Sequence, residues 1–213
     1  MKKKISILGS TGSIGSTTLK IIDKKRFLFN IILLSAKNNY GLICRQIYRY
    51  KPKYFVISNP SVFKKVKKKF KNKPTVILDD YKKIKFKKKM DIVVSAIPGI
   101  DGLLPTLSIL SSTKKILLAN KESVICGWNL IRDKSKKFNV EIVPIDSEHF
   151  SIFKIIESFK INQIKKIFIT ASGGPFLNYK PHQFKKIKLK DALKHPKWKM
   201  GKKITIDSST LMN

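Results

Sequence analysis

Short, almost wholly apolar runs alternate with amphipathic stretches along the first two thirds of the chain. Strands are predicted where the apolar runs lie: Lys4–Leu8, Phe29–Ser35, Tyr54–Ile57, Thr75–Leu78, Asp91–Ala96, Lys115–Leu118 and Glu141–Ile145. Helical periodicity falls between them, most clearly over Ile14–Lys24, Tyr40–Tyr50 and Val62–Phe70. Strands that alternate with helices form βαβ units, and uniformly apolar strands indicate a sheet covered on both faces. The pattern therefore predicts an α/β fold with a Rossmann-like, doubly wound, mostly parallel sheet.

The pattern changes after Asp146. A further strand is predicted at Ile164–Thr170 and a last one at Lys203–Ile206, separated by a segment rich in Lys and Pro. Ser208–Asn213 has the composition of a helix opening, and the chain ends there. We therefore predict a Rossmann-like domain at residues 1–146, followed at residues 147–213 by the unfinished start of an α+β domain.

Composition sets the broad class of protein. The 213 residues are 42% hydrophobic, which is enough for a packed core and excludes a disordered basic tail. No apolar run approaches the roughly 18 residues of a membrane-spanning helix, and the Met1-Lys2-Lys3-Lys4 start lacks the apolar region of a secretory signal. Cys44 and Cys126 are far apart, so neither a disulfide framework nor a zinc site is indicated. We expect a soluble, cytoplasmic protein with no membrane partner.

The formal net charge of +33 raises the possibility of a nucleic-acid partner. The charge is concentrated in runs such as Lys64–Lys73 and Lys82–Lys89, and it comes from 42 Lys and 4 Arg. Proteins that recognise bases rely on the bidentate arginine guanidinium, which lysine cannot imitate. We interpret the runs as solvated surface, and a basic nucleic-acid-binding module stays as the alternative.

A glycine-rich turn lies between the first predicted strand and the first helix. It reads Gly9-Ser10-Thr11-Gly12-Ser13-Ile14-Gly15, with the spacing GxxGxxG rather than GxGxxG. Glycines let the backbone approach a pyrophosphate, and a helix N-terminus offers free N–H groups and a positive dipole end. The turn predicts dinucleotide binding; a purely structural turn is the alternative.

The residues after the second strand indicate which coenzyme binds. An NAD site usually places Asp or Glu there to bind the ribose 2′-hydroxyl, but this chain reads Ser35-Ala36-Lys37-Asn38. Lys37 would pair with a 2′-phosphate, so NADPH is favoured over NADH. Because lysine is so abundant here, the position of Lys37 favours NADPH more strongly than its residue type does.

Carboxylates follow two later strands. Glu122 lies in Asn120-Lys121-Glu122-Ser123, and Asp146 and Glu148 lie in Asp146-Ser147-Glu148-His149. Two carboxylates at one strand end can both face a divalent cation. The alternative for Asp146 and Glu148 is a helix N-cap with an acid in the first turn.

Five motifs, in order, carry a family resemblance: GSTGSIG, LLANKES, PIDSEH, TASGGPF and HPKWKMGKKITIDSSTLMN. From about Ile5 to Asn213 the chain resembles the 1-deoxy-D-xylulose 5-phosphate reductoisomerases. The resemblance implies an NADPH-dependent isomerisation and reduction that yields 2-C-methyl-D-erythritol 4-phosphate for isoprenoid synthesis. It also implies Mg²⁺ or Mn²⁺, with Co²⁺ as a further option, a small phosphorylated sugar as substrate, and a homodimer in the full-length family.

The resemblance assigns roles to individual residues. The implied NADPH contacts are Thr11, Gly12, Ser13, Ile14, Ala36, Lys37, Asn38, Asn120, Glu122 and Gly201. Catalytic roles fall to Lys121, Asp146, Glu148 and His195, and of these Asp146 and Glu148 are metal ligands. The implied substrate contacts are Lys121, Ser147, Glu148, Ser172, His195, Trp198, Met200, Ser208 and Asn213, with His195, Trp198 and Met200 in a mobile flap.

Alternatives remain open at this stage. The family has a phosphate-binding lysine, a third metal carboxylate and a C-terminal helical domain after the position of Asn213, so we expect weak metal binding and little turnover from this chain alone. The alternative interpretation of Trp198 is an aromatic residue of the core, and that of His195 is a histidine in a surface loop. An NADPH dehydrogenase with an unrelated substrate is the alternative enzyme.

Overall fold

A computed structural model describes residues 1–199 and 201–209, which fall into two compact units, Met1–Lys154 and Ile155–Asn213. The described residues of the first unit form one seven-stranded parallel sheet, in the order β4-β3-β2-β1-β5-β6-β7. Its strands are β1 Lys3–Leu8, β2 Phe29–Ala36, β3 Tyr54–Ile57, β4 Val76–Leu78, β5 Met90–Ser95, β6 Thr113–Leu118 and β7 Glu141–Pro144.

Helices cover both faces of the sheet. They are α1 Ser13–Lys24, α2 Tyr40–Tyr50, α3 Pro60–Lys69, α4 Leu103–Ile109, α5 Lys121–Phe138 and α6 Ser147–Ile156. One buried cluster joins the strands to α1, α2 and α3 through side chains such as Leu19, Ile43 and Val66. A second cluster joins them to α4 and α5 through Ile109 and Ile131. The predicted doubly wound, Rossmann-like α/β fold is therefore confirmed.

The strand order reverses beside β1. Ile7 of β1 pairs with Leu34 of β2 on one side and with Val94 of β5 on the other. The connections after β1 and β5 therefore leave the carboxyl ends of these strands in opposite directions. In open α/β sheets, ligands bind at such a reversal point.

Asparagine side chains fix the starts of three helices at this edge. Asn39 accepts from the backbone N–H of Leu42, and Asn59 accepts from that of Val62. Asn120 does the same for α5 by accepting from Ser123 N–H at 2.7 Å. These caps satisfy N–H groups that have no partner inside a helix. They also hold the loops that follow β2, β3 and β6 in place.

The second unit departs from the predicted strands. Residues 164–170 form no strand, and Lys203–Ile206 lies in a helix, α8 Lys202–Ser209, rather than in a strand. A strand needs a neighbour to complete its backbone hydrogen bonds, and the described part of this unit contains no second strand. α8 bonds within itself instead, and it begins at Lys202, earlier than the helix opening predicted at Ser208. A short helix, α7 Leu189–Ala192, precedes it.

No helix among the described residues is long and apolar enough to cross a membrane.

Candidate coenzyme and metal sites

Close backbone packing explains the glycines of the turn after β1. Gly9 has φ +82°, and a Cβ built there would lie 2.6 Å from the carbonyl oxygen of Ala96, at the end of β5. A Cβ on Gly15 would lie 2.3 Å from the Gly9 carbonyl oxygen. The first turn of α1 therefore rests directly on the loop, and the loop rests on β5. Only glycine fits at these two positions.

The N-terminus of α1 is open to solvent and has no negative charge. Its N-cap, Gly12, provides no side-chain hydrogen bond, and the first turn has no acidic residue. Gly12, Ser13 and Ile14 are exposed, and Thr11 is half-buried. The first N–H groups of a helix lack intrahelical partners and attract anions. This predicted loop therefore fits the pyrophosphate of a dinucleotide.

A buried polar network supports the loop from below. Ser10 Oγ lies 2.6 Å from Gln46 Oε1, and Gln46 Nε2 donates to the Ser10 carbonyl oxygen at 2.9 Å. Gly9 N–H donates to Ser35 Oγ at 3.1 Å, and Tyr81 Oη donates to the same oxygen at 2.7 Å. Ser10, Ser35 and Gln46 are buried. Gln46 and Tyr81 were not predicted, because neither lies in a motif and both are far from the loop in sequence.

Tyr81 makes the free energy of unfolding depend on pH in the alkaline range. Burial raises the pKa of Tyr81 to about 12. Because the folded state favours the protonated hydroxyl, Tyr81 contributes fully to the free energy of unfolding below about pH 10, the pKa of tyrosine in the unfolded chain. That contribution falls as the pH rises further and is lost by about pH 12. We expect urea unfolding to show about 2–3 kcal/mol less alkaline destabilisation in Tyr81→Phe than in the parent chain. Equal losses in both proteins between pH 9 and 12 would contradict the assignment.

Lys37 lies at the carboxyl edge, as predicted, but it has an acidic neighbour. Its ammonium lies 3.1 Å from Asp101 Oδ2, and both side chains are more than half exposed. Ala36, the last residue of β2, is buried, and Asn38 Oδ1 accepts from Asn59 Nδ2 at 2.9 Å. Asp101 was not predicted, because it follows β5, whereas the acid expected at an NAD site follows β2. The sequence does place an acid in the loop after β5, whose carboxyl end lies at the same edge of the sheet as that of β2, and this could have indicated the pair.

Asn120 has a clear structural role. Its Oδ1 caps α5, and its Nδ2 donates to the carbonyl oxygens of Ile97 and of Gly99, the latter at 2.8 Å. The side chain is buried, and its three bonds fasten α5 to the loop after β5. The predicted coenzyme contact of Asn120 remains a prediction, as does that of Glu122, which lies with Lys121 in the first turn of α5.

The predicted metal ligands lie where β7 passes into α6. Asp146 Oδ2 lies 2.6 Å from His149 Nδ1, and Ser147 Oγ donates to Glu148 Oε2 at 2.7 Å. The Ser147 hydrogen bond lowers the pKa of Glu148, and the positive charge of Lys121 acts in the same direction. Glu148 is in the first turn of α6, so the alternative interpretation as a helix-terminal acid describes its position correctly.

Carboxylate oxygens are the donors that Mg²⁺ and Mn²⁺ prefer, so Asp146 and Glu148 suit such an ion in kind. Among the described residues, no group of three or more His, Cys, Asp or Glu side chains is arranged to hold one. The described part of the chain therefore offers a cation two carboxylates that are two residues apart in the sequence, and the surroundings of Glu148 lower the pKa of its carboxyl.

The second unit brings three predicted substrate residues together. Ser172 Oγ lies 3.1 Å from His195 Nε2 and 3.1 Å from Ser208 Oγ. His195 Nδ1 accepts the backbone N–H groups of Lys197 and Trp198, so the ring proton is on Nε2 and points to Ser172. The Trp198 ring stacks on His195 with the ring centroids 5.0 Å apart. Hydroxyl and imidazole donors at one place can bind an anionic oxygen.

The remaining predicted residues are less informative. Gly201 precedes α8 and accepts from Thr205 N–H at 3.0 Å, and a Cβ added to it would meet no atom within 4 Å. Nothing in its surroundings requires glycine. Met200 and Asn213 lie outside the described residues.

Comparisons with known proteins identify the family. The family model for 1-deoxy-D-xylulose 5-phosphate reductoisomerase matches residues 5–127, and the model for the C-terminal domain of the same enzyme matches residues 142–213. The chain belongs to the 1-deoxy-D-xylulose 5-phosphate reductoisomerase family. The resemblance found in the five motifs is therefore confirmed.

Individual reductoisomerases of the family match nearly the whole chain. The one from Pelagibacter ubique is 47% identical over 215 residues, and the one from Clostridium acetobutylicum is 41% identical over 216. A crystal structure of a reductoisomerase with NADPH, fosmidomycin and magnesium superimposes with a TM-score of 0.86 at 35% identity and covers 99% of this chain. The Zymomonas mobilis reductoisomerase with NADPH gives 0.84 at 30% identity and covers 100% of the chain.

The chain is shorter than these relatives. It spans 55% of the Pelagibacter ubique protein, 56% of the Clostridium acetobutylicum protein and 55% of each of the two chains of known structure.

Proposed function

We propose that this chain carries coenzyme-, metal- and substrate-binding residues of an NADPH-dependent, divalent-metal-dependent 1-deoxy-D-xylulose 5-phosphate reductoisomerase. Residues 1–146 are assigned to NADPH and residues 147–213 to catalysis. The observation that carries the proposal is the glycine loop at the reversal point between β1 and β5, with Lys37 beside it. The names of the matching relatives supply the substrate, 1-deoxy-D-xylulose 5-phosphate. The product, 2-C-methyl-D-erythritol 4-phosphate, and its use in isoprenoid synthesis follow from the family resemblance of the five motifs.

The first unit binds and orients the coenzyme in this proposal. The N–H groups at the start of α1 hold the pyrophosphate, because Gly12 leaves that helix end uncovered. The Lys37 ammonium holds the 2′-phosphate by a charge-assisted hydrogen bond. When bound, NADPH supplies the hydride for the reduction. The network of Ser10, Ser35 and Gln46 keeps the loop in the shape that the coenzyme requires.

Asp146 and Glu148 hold the divalent cation, which when bound acts as a Lewis acid toward substrate oxygens. Lys121 contributes a positive charge close enough to Glu148 to lower the pKa of that carboxyl. Ser172, Ser208 and the Nε2–H of His195 donate to the substrate phosphate. Trp198 stacks on His195 and is 56% exposed, and we assign it to the cover over the phosphate end of the substrate.

Both cysteines are free, which supports a reducing compartment such as the cytoplasm.

Replacing one lysine tests the coenzyme assignment. We expect Lys37→Ala to weaken NADPH binding by about tenfold or more, since a hydrogen bond to a charged group contributes roughly 1.5–3 kcal/mol, and to leave NADH binding unchanged. Calorimetric titration of both nucleotides measures this.

Lys114→Ala is the matched control. Lys114 is as exposed as Lys37, 62% in each case, and it pairs with Asp91 at 2.8 Å, but it lies at the opposite, amino-terminal edge of the sheet. The assignment is wrong if both variants lose NADPH affinity equally, or if Lys37→Ala weakens NADH as much as NADPH.

Nucleic-acid binding is not favoured by any specific observation. Arg26 and Arg49 both pair with Asp23, and Arg132 pairs with Asp133, so these guanidinium groups already have carboxylate partners. Duplex DNA included in the same titration separates the two functions. Binding to the lysine runs would fall by orders of magnitude between about 50 and 200 mM salt, whereas coenzyme selectivity would persist.

A further inference from the structure

The ion pair between Lys37 and Asp101 crosses the proposed coenzyme site. Lys37 follows β2 and Asp101 follows β5, and β1 lies between these two strands. The 3.1 Å contact therefore spans the carboxyl end of β1, where the glycine loop begins. Both side chains are exposed, 62% and 64%, so an incoming anion can reach the lysine.

Asp101 is held in place by its loop. It lies in a single turn of 3₁₀-helix, Ile100–Gly102, in which Gly102 N–H donates to the Gly99 carbonyl oxygen at 3.2 Å. Asn120 Nδ2 donates to the same carbonyl oxygen from the other side at 2.8 Å. A Cβ on Gly102 would clash with the Asn120 amide, so the turn packs closely against that side chain. These contacts hold the backbone that carries Asp101 beside the start of α5.

We propose that Asp101 is a specificity-determining residue that moderates the preference for NADPH over NADH. The inference rests on the proposed function, because it takes Lys37 as the group that binds the 2′-phosphate. In the free protein the Lys37 ammonium is occupied by Asp101. The 2′-phosphate binds by displacing that carboxylate, which then remains nearby as a like charge.

NADH is affected differently by the same carboxylate. It has a 2′-hydroxyl in place of the phosphate, so it needs no contact with Lys37. A carboxylate can accept a hydrogen bond from that hydroxyl. Asp101 thus weakens the binding of NADPH, and it leaves the binding of NADH unchanged or strengthens it. The chain combines a lysine that follows β2 with a carboxylate that follows β5, brought together from two different strands.

The test is the variant Asp101→Asn, titrated with NADPH and with NADH. We expect NADPH to bind about three- to tenfold more tightly, since an exposed pair of charges contributes a modest free energy, and NADH to bind equally or more weakly. The gain in NADPH affinity should shrink as salt is raised, because exposed charges are screened.

Asp133→Asn is the control for general electrostatics. Asp133 is 65% exposed and also pairs with a basic side chain, Arg132, and its removal changes the net charge of the protein by the same amount. The inference is overturned if Asp101→Asn leaves NADPH affinity unchanged, tightens NADH equally, or behaves like Asp133→Asn. A parent chain that binds NADPH no better than NADH would instead overturn the proposed function, so the two failures are distinguishable.

Discussion

Glu148→Gln is expected to weaken Mn²⁺ binding by more than about tenfold. The residue is one of two carboxylates that are two residues apart in the sequence, and its hydrogen bond from Ser147 favours the ionised form that binds a cation. Changes that only reorient a metal ligand typically cost about 10–100-fold in affinity, so replacing a ligand's charge by a neutral amide should cost at least as much. The free Mn²⁺ signal in electron paramagnetic resonance, recorded during a titration, measures the affinity directly.

Glu141→Gln is the control for this experiment. Glu141 begins β7, and Glu148 lies in the helix that follows the same strand. Its carboxylate is 56% exposed and pairs with Lys115 at 2.9 Å, so the variant removes a paired carboxylate at the other end of the strand. Unchanged Mn²⁺ affinity in Glu148→Gln, or equal losses in the two variants, would show that the metal binds elsewhere. Circular dichroism confirms that both variants are folded.

Gly15→Ala is expected to lower the free energy of unfolding by about 1–3 kcal/mol or more. We expect the variant to bind NADPH more weakly as well. The added methyl would lie 2.3 Å from the Gly9 carbonyl oxygen and 2.7 Å from Ser10 Cα. Both are backbone atoms, so relief requires the loop to move off the ends of β1 and β5. Urea unfolding measures the change in stability, and calorimetry measures the change in NADPH affinity.

Two other glycines separate packing from binding. In Gly41→Ala the new methyl would meet only Asn39 Oδ1 at 4.0 Å, and we expect stability equal to or above that of the parent, by up to about 1 kcal/mol. In Gly12→Ala the nearest atom would be 3.4 Å away, so the fold should tolerate it, but the methyl stands at the uncovered helix end. We expect that variant to remain stable and to lose NADPH affinity. A Gly15→Ala protein as stable as Gly41→Ala would contradict the packing described here.

The sheet was predictable because its strands are apolar on both faces and are separated by clear helical periods. The helix over Tyr40–Tyr50 was predicted with the bounds that the structure shows. In the second unit the same reasoning failed, because Ile164–Thr170 has strand composition without a partner strand among the described residues. Composition indicates that a segment can pair, but only tertiary structure supplies the neighbour.

The candidate site was predictable where one short motif supplies several residues, as in Gly9–Gly15 and Asp146–Glu148. It was not predictable where contacts join distant segments. Asp101 lies 64 residues after Lys37, and nothing local in either segment announces the pairing. Gln46 lies in α2 and supports the glycine loop after β1. The hydrophobic pattern of α2 indicates which face of the helix is buried, but not that Gln46 contacts this loop.

Amide hydrogen exchange with and without NADPH is the sharpest test of the coenzyme site, because the proposed site predicts which backbone groups the coenzyme covers. Exposed N–H groups in the first turn of a helix exchange rapidly and slow when they bind an anion. We predict slower exchange at residues 11–16 and 36–38 in saturating NADPH, and no change at Lys64–Lys73. Unchanged exchange at residues 11–16, or slowing confined to the lysine-rich runs, would contradict the account.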